Sequence, residues 1–408
     1  MRAGRGGANQ MANLPILIAG AGIGGLTAAI ALARRGIPVA IAEKRTRFDE
    51  AGAGIQVSPN AGRVLESLDL GLALRRAAIR PEALAIGHWG GGKPLLAMPF
   101  APPVEGATPS RSLKRADLHQ LLLDSARTLP NIRWIIGRGL VDAHETEQGV
   151  TVTLGSESGG AETVEAMALI GADGLWSRAR AVLGDAGEPG FTGWEAWRSL
   201  IPADGLPETL RRPAVALHLG RARHAVHYPV SGGKEINLVL IRAAREARPG
   251  WSRAGEASQL AEIAASAGPG LRELIERAPN WRIWSLYDRA PARMAKGRIA
   301  LLGDAAHPIL PFLAQGAALA IEDAAVLAHE LATRLASEGT AAVPAALAAY
   351  AKARTERAAR VQQASRKNGE AYHLGRPWSY ARDFAMRRMG PAGMRRRHAW
   401  IYDWRAPG

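Results

Sequence analysis

Residues 14–33 read LPILIAGAGIGGLTAAIALA, and the parsing of that stretch decides the fold. On hydropathy alone, an almost wholly apolar run behind Arg2 and Arg5 suits a membrane helix or a signal peptide. But Gly20, Gly22, Gly24 and Gly25 fall near its middle, where a spanning helix would carry leucine or valine. The flanks fit another parse: an apolar strand over 14–19, a turn, a helix over 23–35 stopped by Gly36, and a second buried strand from Pro38 to Glu43. That is a βαβ unit. Gly20, Gly22 and Gly25 have the spacing G-x-G-x-x-G. The first glycine permits the tight turn, the second lets backbone approach a pyrophosphate, and the third lets helix pack on strand. Phosphates would then meet free N–H groups and the positive end of the helix dipole. Glu43, with Lys44 beside it, ends the second strand, where an acid can accept hydrogen bonds from ribose hydroxyls. The motif binds a dinucleotide without telling FAD from NAD. There is no second fingerprint; Gly90-Gly91-Gly92-Lys93 has neither this spacing nor the Walker spacing and reads as a hairpin loop.

Composition bounds the rest. A chain of 408 residues, 47% hydrophobic and 22% charged, supports two or three domains and excludes wholesale disorder. The absence of cysteine excludes a disulfide scaffold, thiolate metal ligation and a cysteine nucleophile, and fits a reducing compartment. No metal site is expected. The net charge of +15 is concentrated: from Ala351 onward there are 14 basic and 4 acidic residues, which accounts for +10. Such a field gathers anions, although only 7 of the 52 basic residues are lysine, and helices rich in Ala and Arg also present solvated faces. No nucleic-acid-binding motif is present.

Two later segments repeat the logic of the first. Ala161–Ile170 is strand-like and runs into Gly171-Ala-Asp173-Gly174, followed by Leu-Trp-Ser177-Arg178-Ala-Arg180. A strand over 297–302 enters Gly303-Asp304-Ala-Ala-His307-Pro308, and a helix is expected from about Gln315-Gly316, with Glu322 and Asp323 inside it. Each places an Asp at the C-terminal end of a buried strand, where ligands bind in open α/β sheets; taken singly, each also reads as a strand before a capped helix. His307 is expected to be structural within its turn. Between these segments, Val215–Leu219, His224–Val230 and Ile236–Ile241 alternate as antiparallel strands do. Period-2 geometry puts His224, Val226 and Tyr228 on one face and His227 on the other. Trp194, Trp197 and Arg198 read either as pocket lining or as core.

Together, GAGIGGLTAAIALARRG, GADGLWSRAR and GRIALLGDAAHPILPFLAQGAALAIEDAAVLA resemble the single-component FAD-dependent aromatic monooxygenases of the para-hydroxybenzoate hydroxylase fold. The tail SRKNGEAYHLGRP…WIYDW is most similar to the salicylate hydroxylase branch, with its 3-hydroxybenzoate 6-hydroxylase and 6-hydroxynicotinate relatives. The resemblance spans about Leu14 to Trp404. It implies an α/β fold: a Rossmann-like, glutathione-reductase-type FAD-binding domain interleaved with a mixed-sheet substrate domain, and a C-terminal helical region. The expected partition is a disordered leader over 1–12, an FAD-binding domain over 13–84, 108–190 and 290–345, a substrate sheet over 85–107 and 191–289, and C-terminal helices over 346–408.

The same resemblance implies that Gly20, Gly22, Gly24, Gly25, Glu43 and Lys44 hold the adenosine end of FAD. It also implies that Arg115 contacts the cofactor from a helix start, that Asp173 serves FAD and the nicotinamide, and that Gly303, Asp304, Gly316 and Ala317 hold the ribityl and flavin end. His224 and Tyr228 match a His-x-x-x-Tyr pair that deprotonates and grips a substrate phenol. Pro311-Phe312 stands where relatives carry Gln, His or Tyr, and Pro311 is taken as the active-site residue there. The implied reaction uses NADH or NADPH, a transient co-substrate, and O2, by way of a flavin C4a-hydroperoxide. It hydroxylates a small hydroxylated aromatic acid, with salicylate the first expectation. Two other readings stay open at this point: a same-fold monooxygenase or epoxidase acting on a larger substrate, and a flavin-free binding protein of this fold. A cytoplasmic monomer or homodimer without a membrane span is expected.

Overall fold

The computed structural model describes residues 14–48, 53–100, 107–247 and 252–407; the leader expected over 1–12 lies outside them. Ile16–Ala19 is a strand and Ile23–Ala33 an 11-residue helix, so the apolar stretch is split at its glycines. Among the described residues, no helix is long and apolar enough to cross a membrane. All four residues of Ile16–Ala19 and all four of Ala168–Gly171 are buried, as expected of parallel strands covered on both faces. They sit at the centre of a six-stranded sheet in the order 295–296, 299–301, 168–171, 16–19, 39–43 and 132–136, parallel except at the first strand.

The run Ala161–Ile170, expected as one strand, is two. Ala161–Ala166 joins a separate three-stranded antiparallel sheet, while Ala168–Gly171 enters the main sheet. The residue pattern explains the break. Glu162 and Glu165 are exposed and Val164 is buried, which suits a one-sided sheet, whereas the next four residues are all apolar or glycine. At the junction the Met167 N–H donates to Pro15 O at 2.9 Å.

An eight-stranded mixed sheet forms the second layer, in the order 253–255, 281–288, 190–202, 235–243, 223–230, 214–220, 83–88 and 96–99. Gly90–Lys93 lies in the loop of the antiparallel pair formed by Ala83–His88 and Leu96–Pro99. A ribbon of Gly54–Val57 and Arg111–Lys114 ties this sheet to the dinucleotide layer. Gly54 N–H donates to Asn237 Oδ1 at 2.6 Å, Ser112 Oγ donates to Pro229 O at 2.9 Å, and Lys114 Nζ pairs with Glu235 at 2.5 Å. A Cβ on Gly54 would stand 2.6 Å from Asn237 Cγ and 2.8 Å from Tyr228 Cε2, so only glycine admits this approach.

The C-terminal helices are not a region apart. Val343–Tyr372 begins in the dinucleotide core, burying Val343, Ala346, Leu347 and Tyr350, whose hydroxyl donates to Leu301 O at 2.8 Å. Trp378–Tyr402, kinked at Gly390 before Pro391, presses Met386 and Met394 onto Ile86, Leu217 and Leu219 of the large sheet. The pair clamps both layers.

Candidate active site

The cofactor wall starts at the first glycine turn. Gly20 has φ +109°, and a Cβ there would sit 2.5 Å from Ala172 O; at Gly25 it would sit 2.0 Å from Gly20 O. Gly24 makes room for packing: its Cβ would meet Leu302 at 2.7 Å and Ala320 at 3.0 Å. Gly22 alone of the four faces open space, with nothing within 4 Å. It is the N-cap of the helix Ile23–Ala33, which has no side-chain cap and no acid in its first turn. An anion is the natural partner for such a terminus. Glu43 accepts from Ala21 N at 2.8 Å and Arg45 N at 3.0 Å, which fixes the carboxylate and leaves it acceptor capacity. Lys44 is exposed beside it.

The second part of this wall is the turn after Ile299–Leu301. Gly303 has φ +59°. Gly303, Ala305, Ala306 and His307 are buried, while Asp304 is exposed from among them. Although the residue is open to solvent, crowding by its neighbours partly strips water from the Asp304 carboxyl and pushes it up, against the pull of His307 and Arg115. Arg115 opens the helix Arg115–Arg127. Gly316 opens the 23-residue helix Gly316–Glu338, again without a side-chain cap or a first-turn acid, and Asp304 Oδ1 lies 3.9 Å from where a Gly316 Cβ would stand. Ala317 is half-buried next to it. Two uncapped helix ends and two strand-end acids, Glu43 and Asp304, are a set of donors and acceptors that could hold a dinucleotide such as FAD.

A buried charge network holds the turn from behind. Asp323 accepts from Gly303 N at 3.0 Å, from His307 Nε2 at 2.6 Å and from Arg354 Nε at 2.7 Å; Arg354 and Arg357 both reach Glu322. Burial opposes charge on His307, but Asp323 outweighs it and holds the imidazole above its ordinary range. His307 is a structural part of this turn. Asp173 also turns inward: its oxygens accept from Ser177 Oγ at 2.5 Å, Arg178 N at 2.7 Å and Ala179 N at 3.1 Å, capping the helix Arg178–Val182. Its observed hydrogen bonds are those of a helix cap.

The second wall is the facing side of the large sheet. Buried His224 packs against Phe312, with ring centroids 5.6 Å apart, and against Tyr372 at 5.4 Å, and its Nδ1 lies 2.8 Å from His373 Nε2. Phe312 therefore supplies the ring contact from the loop, with Pro311 half-buried beside it. Tyr228 is hydrogen-bonded to Gln56 and faces Arg198; burial, against both of these, pushes its hydroxyl above the ordinary phenol range. Arg198 stacks over Trp284 at 5.1 Å, and its buried Nε has no hydrogen-bond partner among the described residues. Asn237 Nδ2 is in the same condition. The alternation of faces is as expected. His227, on the other side, lies 3.2 Å from His218, and burial lowers the two to about 3 and about 4. Trp197 is core, fully buried with its indole N–H on Glu195 at 2.7 Å, whereas Trp194 stacks on His373 at 3.9 Å.

Sequence reasoning missed His373, Gln56, Asn237 and the Asp323–Arg354 network. His373 stood in the quoted tail motif GEAYHLG, and an imidazole in a chain with only 10 histidines was the available signal.

The family model described as "FAD binding domain" matches residues 13–365. A 3-hydroxybenzoate 6-hydroxylase of Aquipseudomonas alcaligenes is 36% identical over 392 residues, covering 95% of this chain and 97% of the relative. A 3-amino-4-hydroxybenzoate 2-monooxygenase of Streptomyces platensis is 36% identical over 397 residues, 96% of each chain. Among solved structures, a salicylate hydroxylase substrate complex superposes with a TM-score of 0.79 at 27% identity, covering 96% of this chain and 95% of that one. HpxO of Klebsiella pneumoniae, complexed with FAD and uric acid, superposes with a TM-score of 0.76 at 26% identity over 91% of each. By this match and by the geometry of its two walls, the chain belongs to the FAD binding domain family, in the branch of FAD-dependent aromatic monooxygenases.

Proposed function

We propose that the protein hydroxylates a hydroxybenzoate, with His224 as the base for the phenol, Tyr228 as the donor to its oxyanion, and Arg198 as the cation for its carboxylate. One observation carries the reading: the sheet face that presents His224 and Tyr228 is the face that meets the Asp304–Phe312 turn. When bound, FAD would take reducing equivalents from NADH or NADPH and activate O2 for transfer to the ring. Glu43 and the helix end at Gly22 would hold its adenosine and pyrophosphate, and Asp304 and Arg115 its ribityl side. The uncapped helix end at Gly316 favours negative charge next to it.

The residues of the sheet prepare the aromatic ring. A phenol has a pKa near 10, so at neutral pH it stays protonated without help, and its ring is a weak nucleophile. His224, buried and neutral, takes the proton. Tyr228 keeps its own proton because burial raises its pKa, and it remains a donor to the oxyanion. Phe312, Tyr372 and Trp194 line this end with aromatic surface, which suits a flat ring and keeps water out. We place 3-hydroxybenzoate ahead of salicylate, because three relatives at 31–36% identity along 95–96% of the chain are 3-hydroxybenzoate 6-hydroxylases. A cytoplasmic setting suits a cysteine-free chain supplied with NADH or NADPH.

The test is a panel of 2-, 3- and 4-hydroxybenzoate and 3-amino-4-hydroxybenzoate with each nicotinamide, scoring NAD(P)H oxidation and hydroxylated product together. The expected result is one hydroxybenzoate turned over with product matching NAD(P)H. Oxidation without product for every member would overturn the substrate class; a purified protein that takes up no FAD would overturn the chemistry.

A further inference from the structure

We propose that His373 is a positioning residue of this reaction, receiving from His224 the proton that His224 takes from the substrate and passing it outward. The proposal rests on His224 being the base.

The two rings meet nitrogen to nitrogen at 2.8 Å, so one donates and the other accepts. His373 is oriented from several sides. It stacks on Trp194 with centroids 3.9 Å apart and planes at 23°, and Phe312 meets it edge-on at 5.5 Å. Its N–H donates to Gly369 O at 3.2 Å, and its carbonyl accepts from Ala222 N at 3.1 Å, which pins the end of the helix Val343–Tyr372 to the hairpin that carries His224. Exposure rises along the pair: His224 is 2% exposed and His373 half-buried.

The surroundings explain why a partner is needed. The helix presents Tyr372 and His373 to His224, the loop presents Phe312, and the sheet places Leu219 and Ile241 beside it and Tyr228 farther along the same face. Of the cations at this end, Arg221 packs under Gly375, Arg397 acts on Tyr372, and Arg223, on the opposite face of the strand, lies over Trp89. None of these is a carboxylate, so among the described residues no anion meets an imidazolium at His224. Burial, then the charge of His373, holds His224 well below its ordinary pKa, and burial lowers His373 to about 4. A relay avoids the charged state. The phenol O–H bond breaks as His224 Nε2 gains the proton, His224 Nδ1–H passes to His373 Nε2, and His373 Nδ1–H passes to water. One proton leaves, and both rings end neutral.

The experiment uses FAD-loaded His373→Gln, His373→Ala and His224→Ala with 3-hydroxybenzoate. Phenolate absorbance of the bound ligand is followed from pH 6 to 9.5, alongside product formed per NADH and the effect of added imidazole. Glutamine keeps a hydrogen-bonding side chain but cannot relay. Both His373 variants are expected to retain FAD and to bind 3-hydroxybenzoate, with the phenolate midpoint raised by about one pH unit or more and coupling at neutral pH down about tenfold. Coupling should recover at high pH in both, and with imidazole in His373→Ala. Parent-like midpoints in both variants, with His224→Ala uncoupled, overturn the relay and leave the base assignment standing. A loss that is equal at every pH and unrescued by imidazole marks a structural prop and also overturns it. If His224→Ala binds phenolate and couples like the parent, the base assignment falls, and the relay with it.

Discussion

Two histidine pairs sit back to back across one hairpin, which carries three of the four rings; the fourth, His373, comes from the end of the helix Val343–Tyr372. His218 and His227 come from adjacent strands, nine residues apart, with nitrogens at 3.2 Å. His224 and His373 meet at 2.8 Å across 149 residues of sequence. In each pair at least one ring is buried, and burial lowers the pKa of all four. What separates them is the neighbourhood. Beside His227 stand Ala225 and Leu238 of the core around Trp197; beside His224 stand Phe312 of the cofactor turn and the end of a C-terminal helix. Identical side chains join the core or meet the Phe312 turn according to which layer the sheet face packs against.

The largest expected effect breaks that comparison directly. His224→Ala should lower product formed by about 10²- to 10⁴-fold, the usual range for a lost general base, while NAD(P)H is still consumed and peroxide released. His227→Ala should remain coupled. Uncoupling in His227→Ala instead would reverse the two faces.

The His224 pair meets the cofactor turn through Phe312 and not through Asp304 or the glycine turn, so both variants should retain FAD. Asp304→Ala should not: loss of a charge-assisted hydrogen bond costs about 1.5–3 kcal/mol, or about ten- to a hundredfold in FAD affinity. Asp185→Ala is the control, since Asp185 pairs with Arg180 and Arg289. Equal FAD dissociation constants for the two Asp variants would refute the assignment of the GD turn.

A third effect belongs to both pairs together. Their folded pKa values lie below the unfolded value near 6.5, so the unfolded chain binds protons first as the medium turns acid. The stability they contribute is complete above about pH 6.5 and falls as pH drops toward 4, by up to about 1.4 kcal/mol per pH unit for each histidine. Denaturant midpoints measured from pH 7.5 to 5 should show this slope. His227→Leu should flatten it without altering coupling; an unchanged slope would show that His227 is readily protonated in the fold.

A last effect sharpens the assignment of the active face. Tyr228→Phe removes the donor to the oxyanion, a hydrogen bond to a charged group worth about 1.5–3 kcal/mol, so kcat/KM should fall about ten- to a hundredfold with FAD binding intact. A loss as large as that of His224→Ala would make Tyr228 the proton acceptor.

How far the site was legible follows the range of the interactions. Gly20, Gly22, Gly25 and Glu43 form a local pattern, because a strand, a turn and a helix must pack within some twenty residues; the structure gives Gly20, Gly25 and Glu43 a matching backbone reason, while Gly22 faces open space. His224 and Tyr228 share a face because side chains on a strand alternate with period two. The oxygens of Asp173, at the end of its strand, cap the helix that follows.

The sequence by itself determined the dinucleotide fold, the two strand-end acids and the division of the hairpin into two faces. All of these depend on bond geometry and residue spacing within one element or between neighbours. Only the tertiary structure decided that Phe312 and His373 stand opposite His224, that Gln56 reaches Tyr228, and that Arg354 neutralises Asp323 behind the turn. Those partners are joined by the docking of layers, and each also serves packing or capping in other contexts, so no local spacing encodes the pairing.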